Sequence, residues 1–185
     1  IRMRFPRTFI FVDLSGFTNY METNGDRKAT GLLAEFRAVA RAIASERGVR
    51  IDKFLGDGLM AVAVDQIEGI TFALELERRA ETVCAPLKLR IGIATGDTML
   101  FEGDDYIGPA PNLAARLCDH AIGIGVLIAT EQIIELPQGV KTKQHDAIKL
   151  HGFNEPVNVS VLVGRPVIVE RHDTSEIWAQ RLPID

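Results

Sequence analysis

Asp13 ends a nearly unbroken apolar run, Thr8-Phe9-Ile10-Phe11-Val12, and Asp57 stands in Gly56-Asp57-Gly58 between two further apolar runs. An unpaired carboxylate in low dielectric costs several kcal/mol or more, so a buried strand normally excludes one. Two of them, one at a strand end and one at a hairpin tip, suit a pair of divalent cations. Magnesium takes a few carboxylate oxygens and completes its shell with oxygens of a phosphorylated substrate. Either aspartate alone would serve equally well as a turn cap. The pair is what points to metal.

The elements that must position these residues follow from periodicity. Thr8 to Leu14 is apolar enough for a central strand. A polar turn, Ser15-Gly16-Phe17-Thr18, leads into a short helix that ends at Thr23-Asn24-Gly25-Asp26. Lys28 to Arg47 carries Leu32, Leu33, Phe36, Val39, Ala40 and Ile43 as a helical stripe, closed by Gly48. Val49 to Leu55 and Leu59 to Val64 pair around Gly56-Asp57-Gly58, where glycine permits a tight turn. Gln66 to Cys84 is helical up to Pro86. Leu87 to Gly96 alternates as a strand, with Thr98 to Glu102 as its expected hairpin partner. Asn112 to His120 has helix-favouring composition. Val126 to Ala129 reads as a strand, Thr130 as the cap of a helix through Leu136, and Ile148 to Leu150 and Val157 to Val163 as strands. This order predicts an α+β fold, a ferredoxin-like βααββαβ core with helices on one face of a mainly antiparallel sheet, plus a C-terminal α/β extension. The first strand then lies beside the hairpin, which would bring Asp13 and Asp57 together at one edge of the sheet.

The 185 residues fit a single domain, 1–185, with a core over about 8–163 and a tail, 164–185, rich in Pro, Arg and Asp and holding Trp178. A net charge of −4 offers no basic field for nucleic acid. No apolar run reaches the roughly 20 residues that span a bilayer, so no membrane insertion by this segment is expected. No signal-peptide pattern opens the chain, which begins at Ile1 and reads as a piece of a longer protein. Cys84 and Cys118 lack metal-ligand spacing and read as free buried thiols of a reducing cytoplasm.

Four stretches in order, F-V-D-L-S-G-F-T, K-F-L-G-D-G, R-I-G-I-A-T-G and Y-I-G-P-A-P-N-L-A-A-R-L, resemble the successive signatures of the class III nucleotidyl cyclase catalytic domain. The likeness is greatest to bacterial homodimeric adenylyl cyclases and runs from Thr8 to Val163. It implies that Asp13, Asp57 and the Leu14 carbonyl bind two divalent metal ions, magnesium or manganese. The turn Ser15, Gly16, Phe17 and Thr18 would then offer backbone N–H groups to phosphate at a helix N-terminus, a role compatible with simple capping. Lys53 and Asp105 correspond to the base-recognising pair. A lysine donor and a carboxylate acceptor complement N1 and the N6 amino group of adenine, which favours ATP over GTP. Read without the resemblance, Lys53 is a surface lysine beside Asp52, and Asp104 rivals Asp105. Asn112 and Arg116, at i and i+4 on one helix face, correspond to the pair that orients the ribose and stabilises the α-phosphate transition state. Arginine suits the latter because it stays protonated and presents a planar fork of donors. Arg90 corresponds to an arginine for the β- and γ-phosphates, or is a surface strand arginine.

Two departures stand out. Pro111 precedes the asparagine where many members have an aliphatic residue, and Lys149-Leu150-His151-Gly152 stands where the family often has a triphosphate lysine beside glycine, leaving Lys149, His151 or neither for that role. The resemblance implies an adenylyl cyclase forming 3′,5′-cyclic AMP and pyrophosphate, located in the cytoplasm or in the cytoplasmic part of a larger protein. It also implies a head-to-tail homodimer, since the family builds each site from two protomers and this chain carries both residue sets. A nucleotide-binding module without catalysis, and a guanylyl cyclase, are the alternatives.

Overall fold

In chain order the elements are β1 (Phe5–Ser15), α1 (Phe17–Asn24), α2 (Asp26–Arg47), β2 (Arg50–Leu55), β3 (Gly58–Ala63), α3 (Gln66–Val83), β4 (Lys88–Phe101), β5 (Asp105–Ile107), α4 (Pro109–His120), β6 (Val126–Ala129), β7 (Val140–Ile148) and β8 (Val157–Gly164), with a 3-10 turn at Thr130–Gln132 after β6. The computed structural model describes residues 4–103 and 105–168. Asp104 and most of the expected tail, Trp178 included, lie outside them. The first seven elements are the expected βααββαβ core, and β5 to β8 with α4 form the extension.

The sheet runs β2-β3-β1-β4-β6-β8-β7, with β5 pairing off this path onto β4. Among the described residues β4 and β6 pair in parallel and the other pairings are antiparallel. β1 is therefore internal, and its residues alternate between two cores. Ile10, Val12 and Leu14 pack with Phe36 and Ile43 of α2 and Ile70 and Leu76 of α3. Phe9 packs with Met60, Ala94 and the α4 residues Leu113, Ala114 and Leu117. Each such large apolar side chain contributes about 1.5–3 kcal/mol on burial. Helices thus cover both faces, α2 and α3 on one and α4 on the other, where one covered face was expected. The stripe Ala110, Leu113, Ala114, Leu117 of α4 needs apolar cover, and the free side of β1 and β4 supplies it.

Three local expectations fail for identifiable reasons. Leu87–Gly96 and Thr98–Glu102 are one continuous strand, β4, whose hairpin partner is β5. Gly96 makes no turn: a Cβ there would lie 3.2 Å from the Ala110 Cβ, so this glycine admits the start of α4. Residues 130–136 form only the 3-10 turn, because side chains claim the backbone groups a helix would pair internally. Gln66 Nε2 donates to the Gln132 carbonyl (2.8 Å), and Ile134 N donates to Gln66 Oε1 (2.8 Å). The strand expected at Ile148 to Leu150 is instead the end of the longer β7, with Leu150 buried beyond it. Pro111 does not disturb α4, since it falls in the first turn, where backbone N–H groups have no intrahelical acceptor.

Candidate active site

Asp13, near the end of β1, lies opposite Gly58 of β3 and Arg90 of β4. The next residue, Leu14, donates its N–H to the Asp57 carbonyl at 3.2 Å, drawing the β2–β3 turn onto β1. Gly58 permits this approach, since a Cβ there would collide with the Val12 carbonyl. The two aspartates thus meet at strand ends in the interior of the sheet rather than at its edge. Burial first, then the charge of Asp13 and a hydrogen bond with its carboxyl, raise the Asp57 pKa above the ordinary aspartate value, against a smaller lowering by Arg90.

Arg90 forms an ion pair with Asp13. The backbone carbonyl of Arg90 accepts from the Cys118 thiol of α4 at 3.4 Å. Burial, followed by the Asp13 charge, pushes that thiol up to about 12, so Cys118 acts as a packing group rather than a nucleophile. Cys84 is likewise free and buried. Two carboxylates held together against their repulsion fit a divalent cation, whose charge would offset the burden on Asp57. Among the described residues no group of three or more His, Cys, Asp or Glu gathers as a metal cage. The carboxylates gathered at this point are those of Asp13 and Asp57.

Lys53 lies opposite Met60 and so shares the α4 face of the sheet, as do Asp13 and Arg90, which alternate in phase with Phe9 and Ala94. Lys53 Nζ stands 3.9 Å from Asp105 Oδ1 and 3.6 Å from Asp52 Oδ2, so both partners considered for it are in reach. Beside Asp105, Tyr106 packs edge-on against Phe9 with ring centroids 5.4 Å apart, which ties the β4–β5 hairpin to the sheet.

On α4, Asn112 is exposed and Arg116 is half-buried. Arg116 Nη1 reaches Asp119 Oδ2 at 3.7 Å, and its Nε is buried without a hydrogen-bond partner among the described residues. A Cβ on Gly152 would lie 3.9 Å from Asn112 Nδ2, so the segment carrying exposed Lys149 and His151 ends beside Asn112. At the start of α1, Gly16 adopts a left-handed conformation (φ 81°) and no side chain caps it, which leaves the first-turn N–H groups of the Ser15–Thr18 stretch open to an anion. Asp13, Asp57 and Arg90 thus form one cluster, Lys53 and Asp105 a second, and Asn112 and Arg116 a third along α4. The sequence alone does not single out Asp119, three residues from Arg116, or Arg37, whose acceptor is the backbone carbonyl of Gly56.

The catalytic-domain model for adenylate and guanylate cyclases matches residues 6–163. The chain belongs to the adenylate and guanylate cyclase catalytic-domain family. An uncharacterized protein of Mycobacterium tuberculosis is 31% identical over 156 residues, which cover 84% of this chain and 41% of the relative. An adenylate cyclase of Streptomyces coelicolor is 34% identical over 127 residues, covering 68% of this chain and 33% of that one. The crystal structure of the adenylyl cyclase CyaB from P. aeruginosa aligns with a TM-score of 0.76 at 25% identity, over 88% of this chain and 96% of that one. The chain spans about two fifths of the length of the first curated relatives it matches. The family covers both adenylate and guanylate cyclases, so membership alone leaves the base open.

Proposed function

We propose that this domain is an adenylyl cyclase, converting ATP to 3′,5′-cyclic AMP and pyrophosphate in the cytoplasm or in a cytoplasmic part of a larger protein. The observation that carries the choice of ATP is Lys53 standing 3.9 Å from Asp105. The ammonium donates to N1 of adenine and the carboxylate accepts from its N6 amino group. Guanine reverses both positions and would leave each side chain facing a like partner.

Asp13, Asp57 and the Leu14 carbonyl are the groups that would hold two divalent ions, magnesium or manganese. Metal held there would supply Lewis-acid chemistry, a lowered pKa for the ribose 3′-hydroxyl and positive charge against the triphosphate. The chain's residues do the rest. Asn112 orients the ribose so that the 3′-oxygen lies in line with the α-phosphorus. Arg116 donates through its terminal guanidinium nitrogens to the α-phosphate oxygens as charge builds there. Arg90 and the first-turn N–H groups of α1 hold the β- and γ-phosphates as pyrophosphate leaves. The bond from the 3′-oxygen to phosphorus forms, the bond from phosphorus to pyrophosphate breaks, and the hydroxyl proton passes to solvent water.

Each site combines the aspartates of one protomer with Lys53, Asp105, Asn112 and Arg116 of its partner, in a head-to-tail homodimer with two equivalent sites. Incubation with ATP or GTP and manganese, followed by separation of the products, tests the reading. Cyclic AMP is expected. Cyclic GMP as the main product would make it a guanylyl cyclase, and nucleotide binding without product would make it a regulatory module.

A further inference from the structure

Two backbone carbonyls flank the α-carbon of Asp57, and a different donor from a different element holds each. The Asp57 carbonyl accepts from Leu14 N–H of β1 at 3.2 Å. The Gly56 carbonyl accepts from Arg37 Nη2 of α2 at 2.8 Å. Fixing both peptide planes fixes the direction of the bond from α-carbon to side chain, and so confines the carboxylate to the few positions its staggered rotamers allow. Gly56 is left-handed (φ 61°) and exposed, so the turn has little packing of its own to hold it. The guanidinium of Arg37 is itself held in place. It lies over the Phe54 ring at 4.7 Å, and Arg41 lies over the same ring, also at 4.7 Å. Phe54 packs toward α2, while the preceding residue, Lys53, faces α4.

From this arrangement we infer that Arg37 is a positioning residue for metal binding, a tether from α2 that aims the Asp57 carboxylate by holding the Gly56 carbonyl. The inference rests on the metal assignment proposed above. It acts through geometry, because Arg37 touches neither the carboxylate nor any group assigned to the nucleotide.

The test is manganese binding to the purified chain, read by loss of the free-ion electron paramagnetic resonance signal, with melting temperatures measured alongside. Arg37→Ala is expected to weaken manganese binding about tenfold, the lower end for loss of a group that orients a metal ligand, while melting within a few degrees of wild type. Arg37→Lys, which keeps a donor, should recover part of the loss. Arg41→Ala removes the other guanidinium from Phe54 without touching Gly56 and should bind as wild type does. Wild-type binding by Arg37→Ala, or equal weakening by Arg41→Ala, overturns the tether. Asp57→Asn separates the two readings. If it loses manganese while Arg37→Ala binds normally, only the tether fails. If Asp57→Asn binds as wild type does, or the wild type binds no manganese, the metal assignment fails and takes the tether with it.

Discussion

Asp57 carries a charge that the folded chain disfavours. Its pKa is raised by burial and then by Asp13, so the folded protein takes up a proton there more readily than the unfolded one. For a carboxylate shifted upward, the favourable contribution is full below the ordinary aspartate range, near pH 4, and is lost as pH rises through the raised value. Asp57→Asn removes that penalty, so at neutral pH the metal-free variant should melt at or above wild type, with the difference shrinking toward pH 4. Manganese should raise the melting temperature of wild type and leave the variant unmoved, and cyclisation should vanish. An equal manganese-induced rise in both proteins would remove Asp57 from the metal site. The base pair makes a second test. A buried site that hydrogen-bonds one base edge rejects a mismatched edge by about 10⁴-fold. Lys53 and Asp105 have side-chain exposures of 46% and 63% in the single chain, so that discrimination depends on burial by nucleotide and partner. Lys53→Glu with Asp105→Ser should still cut ATP turnover by about 10²-fold or more and admit some GTP. Unchanged preference in a nucleotide competition assay would free both residues from base recognition.

At the scale of elements, what sets the site is how closely α4 rides on β4. A Cβ on Gly92 would collide with the Ala114 carbonyl and the Cys118 N–H, both α4 backbone, so no side-chain rotation relieves it. Gly92→Ala should therefore push α4 away from the sheet, at a cost of about 1–3 kcal/mol for overpacking. Because α4 also carries Asn112 and Arg116, kcat should fall more than KM rises. Urea unfolding together with steady-state kinetics checks this, and a variant stable and active as wild type would mean that α4 is not seated through Gly92. This contact also marks the limit of the sequence. The R-I-G-I-A-T-G stretch is legible as a strand with an arginine, but alternation says nothing about a helix approaching its glycine. The same blindness turned Gly96 into a strand end. Where periodicity tracks burial, as along α2, an element can be read closely, while β1 and the first half of α3, buried on nearly every side, are legible from their apolar content. β7 shows the reverse. Among the described residues only β8 pairs with it, its residues are mostly exposed, and Lys141-Thr142-Lys143-Gln144 carries no apolar alternation. The cap at Thr130 misled because Gln66 and Gln132, far apart in sequence, settle that segment through side-chain bonds. Asp13 and Asp57 were legible because each interrupts an apolar run. Arg37 was not, because its partner is a backbone carbonyl, which no residue type reveals.

At the scale of the whole molecule, the question is whether one chain can complete a site. Lys53 and Asp105 meet within a single chain, as do Asp13, Asp57 and Arg90, so each cluster is locally complete. The proposed dimer instead joins the aspartates of one protomer to Arg116 of the other. Asp57→Ala and Arg116→Ala proteins should each be nearly inactive alone. In a heterodimer of the two, one composite site carries both lesions and the other carries none. Random pairing makes about half the dimers mixed, each with one of its two sites intact, so the mixture should recover about a quarter of wild-type activity. A site built within one chain gives the opposite result, since every protomer then carries one lesion and mixing restores nothing. Exchange is secured by co-expressing the two variants with different tags and purifying through both, which isolates mixed dimers and raises the expected recovery to about half. Gel filtration of that sample establishes that it is dimeric. Doubly tagged dimers that remain as inactive as either parent would overturn the shared site, and chains that never co-purify through both tags would overturn the dimer itself.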